Sequence, residues 1–415
     1  MQQRSFSALL IGALIALLPS TLAAGAKEKI LYRFTGGTDG GVPSSSLTMD
    51  AAGKLYGTTN SGGDLSQCSN YGCGTVFQLT PSSNGKWTEK VLHAFKGGSD
   101  GSYPTGNLLF DAAGNLYGTT SQGGSTNCSS YGCGTVFQLS PNQDGTWTET
   151  ILYSFQGQSD GREPAGLTFD RTGILYGATV APHGTVYSLS PPKQQGGAWK
   201  ENVLYDLSAF GATANPVLAI DEHGNLYGTY YQLDKQYCLG DLNCGAVFEL
   251  EHASGQWQET DLHDFIGGGT GGQPAAGVIR DGKGKLYGTT ALGGNNYGIV
   301  FELRASAGGW KEHMIYNFCS RNNCADGAYP LAALVVDKNG ALYGTTYEGG
   351  GCINACGVVF KLAHMKNSWH ETVLHKFGGL DGENPQESLI LDAKGSLYGV
   401  AASSVGAGVV FELTP

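Results

Sequence analysis

The sequence predicts an all-β fold, namely a seven-bladed β-propeller of four-stranded antiparallel blades. Two observations carry this prediction: a short motif recurs seven times, and the two ends of the chain hold complementary parts of one further unit. The motif is Leu-Tyr-Gly, and successive copies are about 51 to 61 residues apart. The copies are Leu55–Gly57, Leu116–Gly118, Leu175–Gly177, Leu226–Gly228, Leu286–Gly288, Leu342–Gly344 and Leu397–Gly399.

Each unit contains four short segments of β type, which we call a, b, c and d in chain order. In the first complete unit they are Ser46–Asp50, Lys54–Asn60, Thr75–Thr80 and Thr88–Phe95. Their residues alternate between apolar and polar or are β-branched and aromatic, and turn residues bound them. The chain has 66 glycines and no stretch with a sustained helical period. Four strands per unit are what a propeller blade requires.

The link between segments a and b reads Asp-x-x-Gly in every unit, from Asp50–Gly53 to Asp392–Gly395. Aspartate accepts hydrogen bonds from the backbone two residues on, and glycine adopts the positive φ that closes a hairpin. The motif therefore predicts a tight turn. Calcium binding is the alternative, but seven copies suit a shared turn better than one site. We predict no metal site and no cofactor.

Segment c begins with Gly-x-Val followed by phenylalanine or tyrosine, as in Gly74–Phe77. Segment d begins near a tryptophan and ends near a further bulky apolar residue, such as Phe95. Aromatic side chains of this size contribute large apolar areas to a core. We expect them to fill the space between neighbouring blades.

The chain ends predict how the ring closes. Glu28–Phe34 reads as a segment d with no preceding a, b and c, and Gly408–Pro415 reads as a segment c with no following d. The N-terminal strand is therefore expected to complete the last blade, which removes the open sheet edges. An open solenoid is the alternative, but it requires distinct capping repeats, and none is visible.

These motifs resemble a known family. Leu-Tyr-Gly-Thr-Thr, the Gly-rich stretch after it, Gly-Thr-Val-Phe and an Asp-Gly-x-x-Pro link are together similar to the GloVer-type tandem repeat of bacterial extracellular proteins. The resemblance covers Lys27 to Pro415, and the stretch Tyr71–Leu79 recurs unchanged at Tyr131–Leu139. It implies an exported, propeller-like protein.

The N-terminus carries the pattern of a secretory signal peptide over residues 1–26, with Arg4 before the apolar run Ala8–Leu18. Residues 27–415 are then expected to form a single propeller domain that is secreted or periplasmic. An uncleaved membrane anchor is the alternative, but the run is short for a spanning helix. The net charge of −11 and the lack of a basic stripe disfavour nucleic acid and anionic membrane surfaces as partners, and cations, neutral glycans and basic partners stay open. We expect a monomer.

The ten cysteines form five close pairs. Because an even count in local pairs is typical of an exported protein with disulfides, we predict five disulfides that shape loops. Zinc binding and a redox dithiol are the alternatives, but both usually use Cys-x-x-Cys, and no pair has this spacing. The pairs are Cys68/Cys73, Cys128/Cys133, Cys238/Cys244, Cys319/Cys324 and Cys352/Cys356.

In an antiparallel meander, the b–c and d–a links lie on one face and the a–b and c–d links lie on the other. All the cysteine pairs fall in b–c or d–a links, so we call that side the disulfide face and the opposite side the hairpin face. The longer and more varied links also lie on the disulfide face, which is where ligands are expected. Five d–a links carry aspartates that form a turn or, alternatively, an acidic ring for cations or sugar hydroxyls: Asp39, Asp100, Asp160, Asp326 and Asp381.

Blades three and four depart from the pattern. Blade three has no cysteines but has His183 in a short b–c link, with Arg162 and Glu163 in its d–a link, as weak candidates for an acid/base cluster. Blade four has Tyr230 and Tyr231 where other blades have threonines or similar residues, and we take these tyrosines as candidate ligand contacts.

Two functions remain open from the sequence. Near-equivalent repeats favour a binding or interaction scaffold for glycans, proteins or other extracellular ligands. The alternative is a polysaccharide-active enzyme, a lyase or glycosidase with its site at the propeller axis, which rests on analogy with the fold.

Overall fold

The computed structural model describes residues 26–181, 184–194, 196–207, 213–214, 217–232, 244–352, 356–366, 368–404 and 406–414. Thirty strands occupy these ranges, with four one-turn 3₁₀ helices at Cys68–Asn70, Gly98–Asp100, Gly268–Thr270 and Asn322–Cys324. No helix in the described part of the chain is long and apolar enough to cross a membrane.

The strands of the first half follow the predicted segments closely. They are β1 (Lys27–Arg33), β2 (Gly41–Pro43), β3 (Thr48–Met49), β4 (Leu55–Ser61), β5 (Thr75–Pro81), β6 (Trp87–Ala94), β7 (Ser102–Phe110), β8 (Leu116–Gln122), β9 (Thr135–Pro141), β10 (Trp147–Ser154), β11 (Arg162–Phe169), β12 (Leu175–Ala181), β13 (Thr185–Ser190) and β14 (Lys200–Asp206).

The second half repeats the arrangement with shorter inner strands. Its strands are β15 (Thr213–Ala214), β16 (Ala219–Ile220), β17 (Leu226–Gln232), β18 (Gly245–Ala253), β19 (Gln256–Phe265), β20 (Ile279–Arg280), β21 (Leu286–Thr290), β22 (Ile299–Ser306), β23 (Gly309–Asn317), β24 (Val335–Val336), β25 (Leu342–Thr346), β26 (Val358–Met365), β27 (Ser368–Lys376), β28 (Ile390–Leu391), β29 (Leu397–Ala401) and β30 (Val409–Thr414).

The strands form seven antiparallel sheets, which are the seven blades of a β-propeller. The first six sheets contain β2–β6, β7–β10, β11–β14, β15–β19, β20–β23 and β24–β27. In the seventh, the order is β1-β30-β29-β28, so the N-terminal strand is the outer strand of the last blade. Lys27 pairs with Thr414 and Arg33 pairs with Val409 in this closing ladder. The predicted closure is confirmed.

The core consists of seven apolar clusters, one at each junction between neighbouring blades. The cluster at the closing junction combines Leu31 and Phe34 of the N-terminal segment with Phe77 of blade one and Val410 of blade seven. The buried residues are mainly leucine, valine, phenylalanine and tyrosine. The core therefore lies between the sheets, and every junction between neighbouring blades is packed with apolar side chains.

An aromatic pair recurs at these junctions. The phenylalanine that follows strand d contacts the ring of segment c in the next blade, with ring centroids 5.0 Å apart for Phe34 and Phe77 and 5.2 Å apart for Phe95 and Phe137. The other pairs are Phe155–Tyr187, Phe265–Phe301, Phe318–Phe360 and Phe377–Phe411. Six of the seven junctions have this pair, as the aromatic pattern predicts.

The junction between blades three and four is built differently, because Leu207 stands where the other blades have phenylalanine. There, the Tyr230 ring stacks on Phe248, with centroids 4.5 Å apart and planes 17° apart. Tyr230 is only 1% exposed and belongs to the same buried cluster as Leu207. Tyr230 thus supplies the aromatic area that the leucine lacks.

Each residue of Leu-Tyr-Gly has a distinct packing role. Leu55 and its counterparts are buried in the junction clusters. The Tyr56 hydroxyl donates a hydrogen bond of 3.0 Å to Asp50 Oδ2 in the a–b turn, and each of the seven copies makes this bond. The glycine lies under the ring of segment c, and a Cβ atom at Gly118 would stand 2.5 Å from the Phe137 ring.

The a–b turns form as predicted. Asp50 Oδ1 accepts hydrogen bonds from the backbone N–H groups of Ala52 and Lys54, both at 2.9 Å, and Gly53 has a φ of +77°. The same two bonds recur in the other six turns. The turn aspartates are therefore occupied by the backbone and the Leu-Tyr-Gly tyrosines.

The Gly118→Ala variant should be destabilised by about 1–3 kcal/mol, because the added methyl group overpacks the Phe137 ring. Urea unfolding of the mature chain measures this loss. Gly282→Ala is the matched control: a Cβ atom there meets nothing within 4 Å, φ is not positive, and other blades carry alanine at this position. Equal stability losses in the two variants would contradict this account of the motif.

Candidate functional site

The b–c and d–a links contact each other on one side of the ring, as predicted for the disulfide face. The N–H of Gly63 in a b–c link donates to the carbonyl of Gly37 in the d–a link of the same blade, at 3.0 Å. Gly124 and Gly98 repeat this contact at 2.8 Å. The two kinds of link therefore form one continuous layer.

Four predicted disulfides are present: Cys68–Cys73, Cys128–Cys133, Cys319–Cys324 and Cys352–Cys356. Cys244 is also disulfide-bonded, while its predicted partner Cys238 lies outside the described residues. There is no free cysteine in the described part of the chain. These cysteines are consequently not available as zinc ligands or as a dithiol.

The second cysteine of a b–c pair also takes part in contacts between blades. The Cys73 carbonyl accepts a hydrogen bond of 2.8 Å from the Tyr103 N–H in the next blade. The Cys356 carbonyl accepts one of 2.7 Å from the Asn384 N–H. The disulfides thus hold the loops at the points where the blades meet.

The donors Tyr103 and Asn384 belong to a ring of six residues at one repeat position, of which sequence reasoning singled out only Glu163, and for another role. Each directly precedes the proline of a d–a link and has a φ between +48° and +58°, which is unfavourable for a residue with a side chain. In five of the six, this conformation directs the N–H to a carbonyl of the neighbouring blade. The proline packs against the glycine that opens segment c. The residues differ in chemistry from blade to blade: Val42, Tyr103, Glu163, Gln273, Tyr329 and Asn384.

The five link aspartates are bound by the protein's own donors. Each pairs with the tyrosine or histidine near the end of the preceding strand d and with a backbone N–H of its own link. Tyr153 Oη donates to Asp160 Oδ2 at 2.9 Å, and the Gln156 N–H donates to the same oxygen at 2.8 Å. The corresponding hydrogen-bonded pairs are Tyr32–Asp39, Tyr316–Asp326 and His375–Asp381. In the fifth pair, His93 Nε2 lies 3.3 Å from Asp100 Oδ1.

This pairing explains a position where tyrosine and histidine alternate along the chain, since both offer an aromatic body and a polar tip. One histidine at this position has no link aspartate. The link after His263 has Thr270 in place of aspartate, and the buried His263 Nε2 has no hydrogen-bond partner among the described residues. Burial lowers the pKa of this imidazole.

A glutamate on strand d of the following blade lies beside each link aspartate and its tyrosine or histidine. Sequence reasoning missed this glutamate as well. Its signal was present, because Glu stands two residues after the tryptophan in six blades and at Glu28 in the closing strand. Burial, together with the charge of Asp160, raises the pKa of Glu201 to about 7. Burial and Asp39 do the same for Glu89.

The weak catalytic candidates do not form a cluster that the structure describes. Arg162 Nε lies 3.7 Å from Glu163 Oε1, so these two side chains pair with each other on the surface. His183 lies outside the described residues. Tyr230 is buried at the junction of blades three and four, and Tyr231 donates a hydrogen bond of 3.2 Å to Gln273 Oε1.

Segment a of every blade lines a narrow axial cavity of about 180 Å³. Its walls are mostly small or neutral residues, such as Thr105, Ala165 and Ala332. Glu387 is the single carboxylate among the described residues that line it, and burial raises its pKa to about 7.

A depression larger than the axial cavity lies on the other side of the ring. A groove of about 640 Å³ runs between blades one and two on the hairpin face and includes Tyr56, Lys90 and Trp147. Lys90 Nζ donates a hydrogen bond of 2.6 Å to the Gly145 carbonyl across this groove. Cavity size therefore does not single out the disulfide face.

Exposed aromatic residues do distinguish the disulfide face. Tyr71 and Tyr131 occupy the same position in the b–c links of blades one and two and are 74% and 70% exposed. Each lies inside the loop that its disulfide closes, two residues before Cys73 or Cys133. The two tyrosines form a repeated aromatic surface on loops with little freedom.

Ring closure, repeated junctions and disulfide-bonded links define a closed seven-bladed β-propeller with a cross-linked loop face. The family model of the Gloeobacter/Verrucomicrobia repeat matches residues 16–181 and 126–353, and the chain belongs to this family. A comparison with curated proteins finds no significant match. Luciferin-regenerating enzyme aligns over 74% of this chain and 90% of its own, with 12% identity and a TM-score of 0.43. That likeness carries no argument about function.

The buried glutamates predict how stability depends on pH. Folding raises the pKa of Glu201 from about 4.5 to about 7. The stabilisation that the protonated side chain adds to the free energy of unfolding is therefore present below pH 4.5 and is lost as the pH rises through 7. Glu201→Gln resembles the protonated form. The variant should lose less unfolding free energy than wild type between pH 5 and pH 8 in urea titrations.

Histidines with a lowered pKa, such as His263, make the free energy of unfolding rise with pH, which is the opposite effect. Wild type and variant share these histidines, so the difference between their pH profiles reports Glu201 alone. Parallel pH profiles of the two proteins would contradict this assignment of Glu201.

Proposed function

We propose that this protein is an exported binding scaffold whose disulfide face receives an extracellular saccharide, with Tyr71 and Tyr131 as aromatic contacts. The single observation that carries the proposal is the high exposure of both tyrosines on disulfide-closed loops of neighbouring blades. A tyrosine ring offers a large amphipathic contact area at a low entropic cost. Large apolar side chains left in water at matching positions point to an interaction surface.

The repetition of the site supports binding rather than catalysis. Residues 71–79 and 131–139 are identical in sequence, so blades one and two present the same contact. Two equal contacts on one rigid body suit a repetitive ligand such as a polysaccharide, because the second contact forms at a high effective concentration. The varied ring of residues before the link prolines supplies chemically different neighbours that could select among ligands.

The enzyme alternative has one supporting observation, the carboxyl group of Glu387 in the axial cavity with its pKa near 7. A general acid or base with such a pKa suits catalysis near neutral pH. A glycosidase, however, uses two carboxyl groups across the scissile bond, and the described lining holds one. Binding is therefore the better supported function.

The chemistry of the chain also supports an extracellular setting. Disulfides form and persist in oxidising compartments, and four are described here. We therefore propose that residues 1–26 act as a signal peptide and that residues 27–415 work as a secreted or periplasmic monomer. The net charge of −11 opposes binding to nucleic acid.

The Tyr71→Ala/Tyr131→Ala variant should lose at least tenfold in affinity for a bound polysaccharide, with an unchanged Tm because both rings are exposed. Affinity electrophoresis in gels that contain xylan, mannan or β-glucan measures the binding. Met365→Ala is a matched control, because Met365 is 51% exposed in a c–d hairpin on the opposite face.

Two results would contradict the proposal. One is retardation by none of these polysaccharides. The other is normal binding by the double tyrosine variant together with a loss in Lys90→Ala, which would move the site to the hairpin-face groove. Release of new reducing or unsaturated ends that Glu387→Gln abolishes would favour the enzyme.

A further inference from the structure

Three side chains with metal-binding groups converge between blades one and two. His93 lies on β6, Asp100 lies in the d–a link and Glu149 lies on β10 of the next blade. One donor atom from each of them lies within 4.8 Å of the other two, and His93 Nε2 is 3.3 Å from Asp100 Oδ1. The group joins both outer strands to the link between them.

This group differs from its counterparts at the other junctions. Where tyrosine replaces histidine, as at Tyr153, the hydroxyl donates a proper hydrogen bond to the link aspartate. At the junction of blades six and seven, His375 Nε2 hydrogen-bonds to Asp381 at 2.9 Å. Between blades one and two, by contrast, the buried His93 Nε2 makes no hydrogen bond in the described structure, while Glu149 Oε1 is buried without a partner like the Oε1 atoms of the corresponding glutamates in other blades. Among the described residues, these three side chains are the only group of such ligands whose donor atoms all lie within 4.8 Å of one another.

Buried polar atoms without partners are costly, and a bound ion is one way to satisfy them. An imidazole nitrogen with two carboxylate oxygens is a ligand set found around zinc, where donors in a tetrahedral site lie roughly 3.3 Å apart. The His93–Asp100 distance already has this value, and rotation of the Glu149 carboxylate would bring in the third donor. Two carboxylates also supply the negative charge that a divalent cation neutralises.

We propose that His93, Asp100 and Glu149 form a binding site for a divalent cation, with zinc as the ion that fits this ligand set best. Three protein ligands leave a fourth position for water. The described cysteines do not compete for the ion, because they are disulfide-bonded. The sequence offered Asp100 only as one member of an acidic ring for cations, and it did not connect this aspartate with His93 and Glu149.

The location gives such an ion a structural consequence. Gly97, between His93 and Asp100, lies against the disulfide of blade one, since a Cβ atom there would be 3.5 Å from Cys73 Sγ. The ion would hold the d–a link beneath the loop that carries Tyr71. The site is independent of the proposed saccharide binding, which uses other side chains.

The decisive variant is His93→Tyr, which replaces the nitrogen ligand by the residue that four other blades carry at this position: Tyr32, Tyr153, Tyr205 and Tyr316. The fold should accept it. The mature chain is treated with chelator, kept unreduced and titrated calorimetrically with zinc chloride. The variant should bind one equivalent of zinc fewer per chain than wild type. Zinc should also raise the Tm of wild type but not of the variant.

Glu149→Gln is a second variant, which keeps the size of the side chain and weakens the carboxylate ligand. It should lose the same zinc equivalent. Cobalt chloride adds a visible spectrum that reports the imidazole ligand and should change in His93→Tyr. Equal zinc stoichiometry in wild type and His93→Tyr, or no zinc binding by wild type, would overturn the proposal.

Discussion

The fold depends on the contact between the aromatic ring that ends one blade and the ring in segment c of the next. Phe34 on Phe77 and Phe95 on Phe137 show the pattern, with centroids about 5 Å apart. The ring of segment c fits only because Leu-Tyr-Gly ends in glycine beneath it. Every blade is therefore held by its neighbours, and ring closure leaves no blade with an open side.

Because the contacts between blades stabilise the ring, the links between strands can differ from blade to blade. The hairpin face is occupied by aspartate turns that the Leu-Tyr-Gly tyrosines stabilise. The disulfide face carries the longer links, and there the protein combines disulfides, link aspartates and residues with positive φ before proline. Such a rigid layer can present side chains like Tyr71 to a ligand without ordering a loop on binding, which reduces the entropic cost of association.

The fold was predictable from the sequence because each blade must satisfy the same physical needs, so its signals recur seven times. The site was only partly predictable. Tyr230 looked like a ligand contact, but its role follows from Leu207, a residue 23 positions away that only packing connects to it. The glutamates of strand d recur as clearly as the turns, yet their meaning depends on a link aspartate and on the tyrosine or histidine of the preceding blade. Contacts between blades are not visible in a single repeat.

The most direct test of the closed ring compares the same substitution at two junctions. Phe34 lies at the closing junction and Phe95 at an internal one, and both are fully buried. In a closed ring, Phe34→Ala and Phe95→Ala should each lower the unfolding free energy by about 3–5 kcal/mol. Urea unfolding of the mature chain measures both. A large loss for Phe95→Ala with little loss for Phe34→Ala would contradict closure by the N-terminal strand.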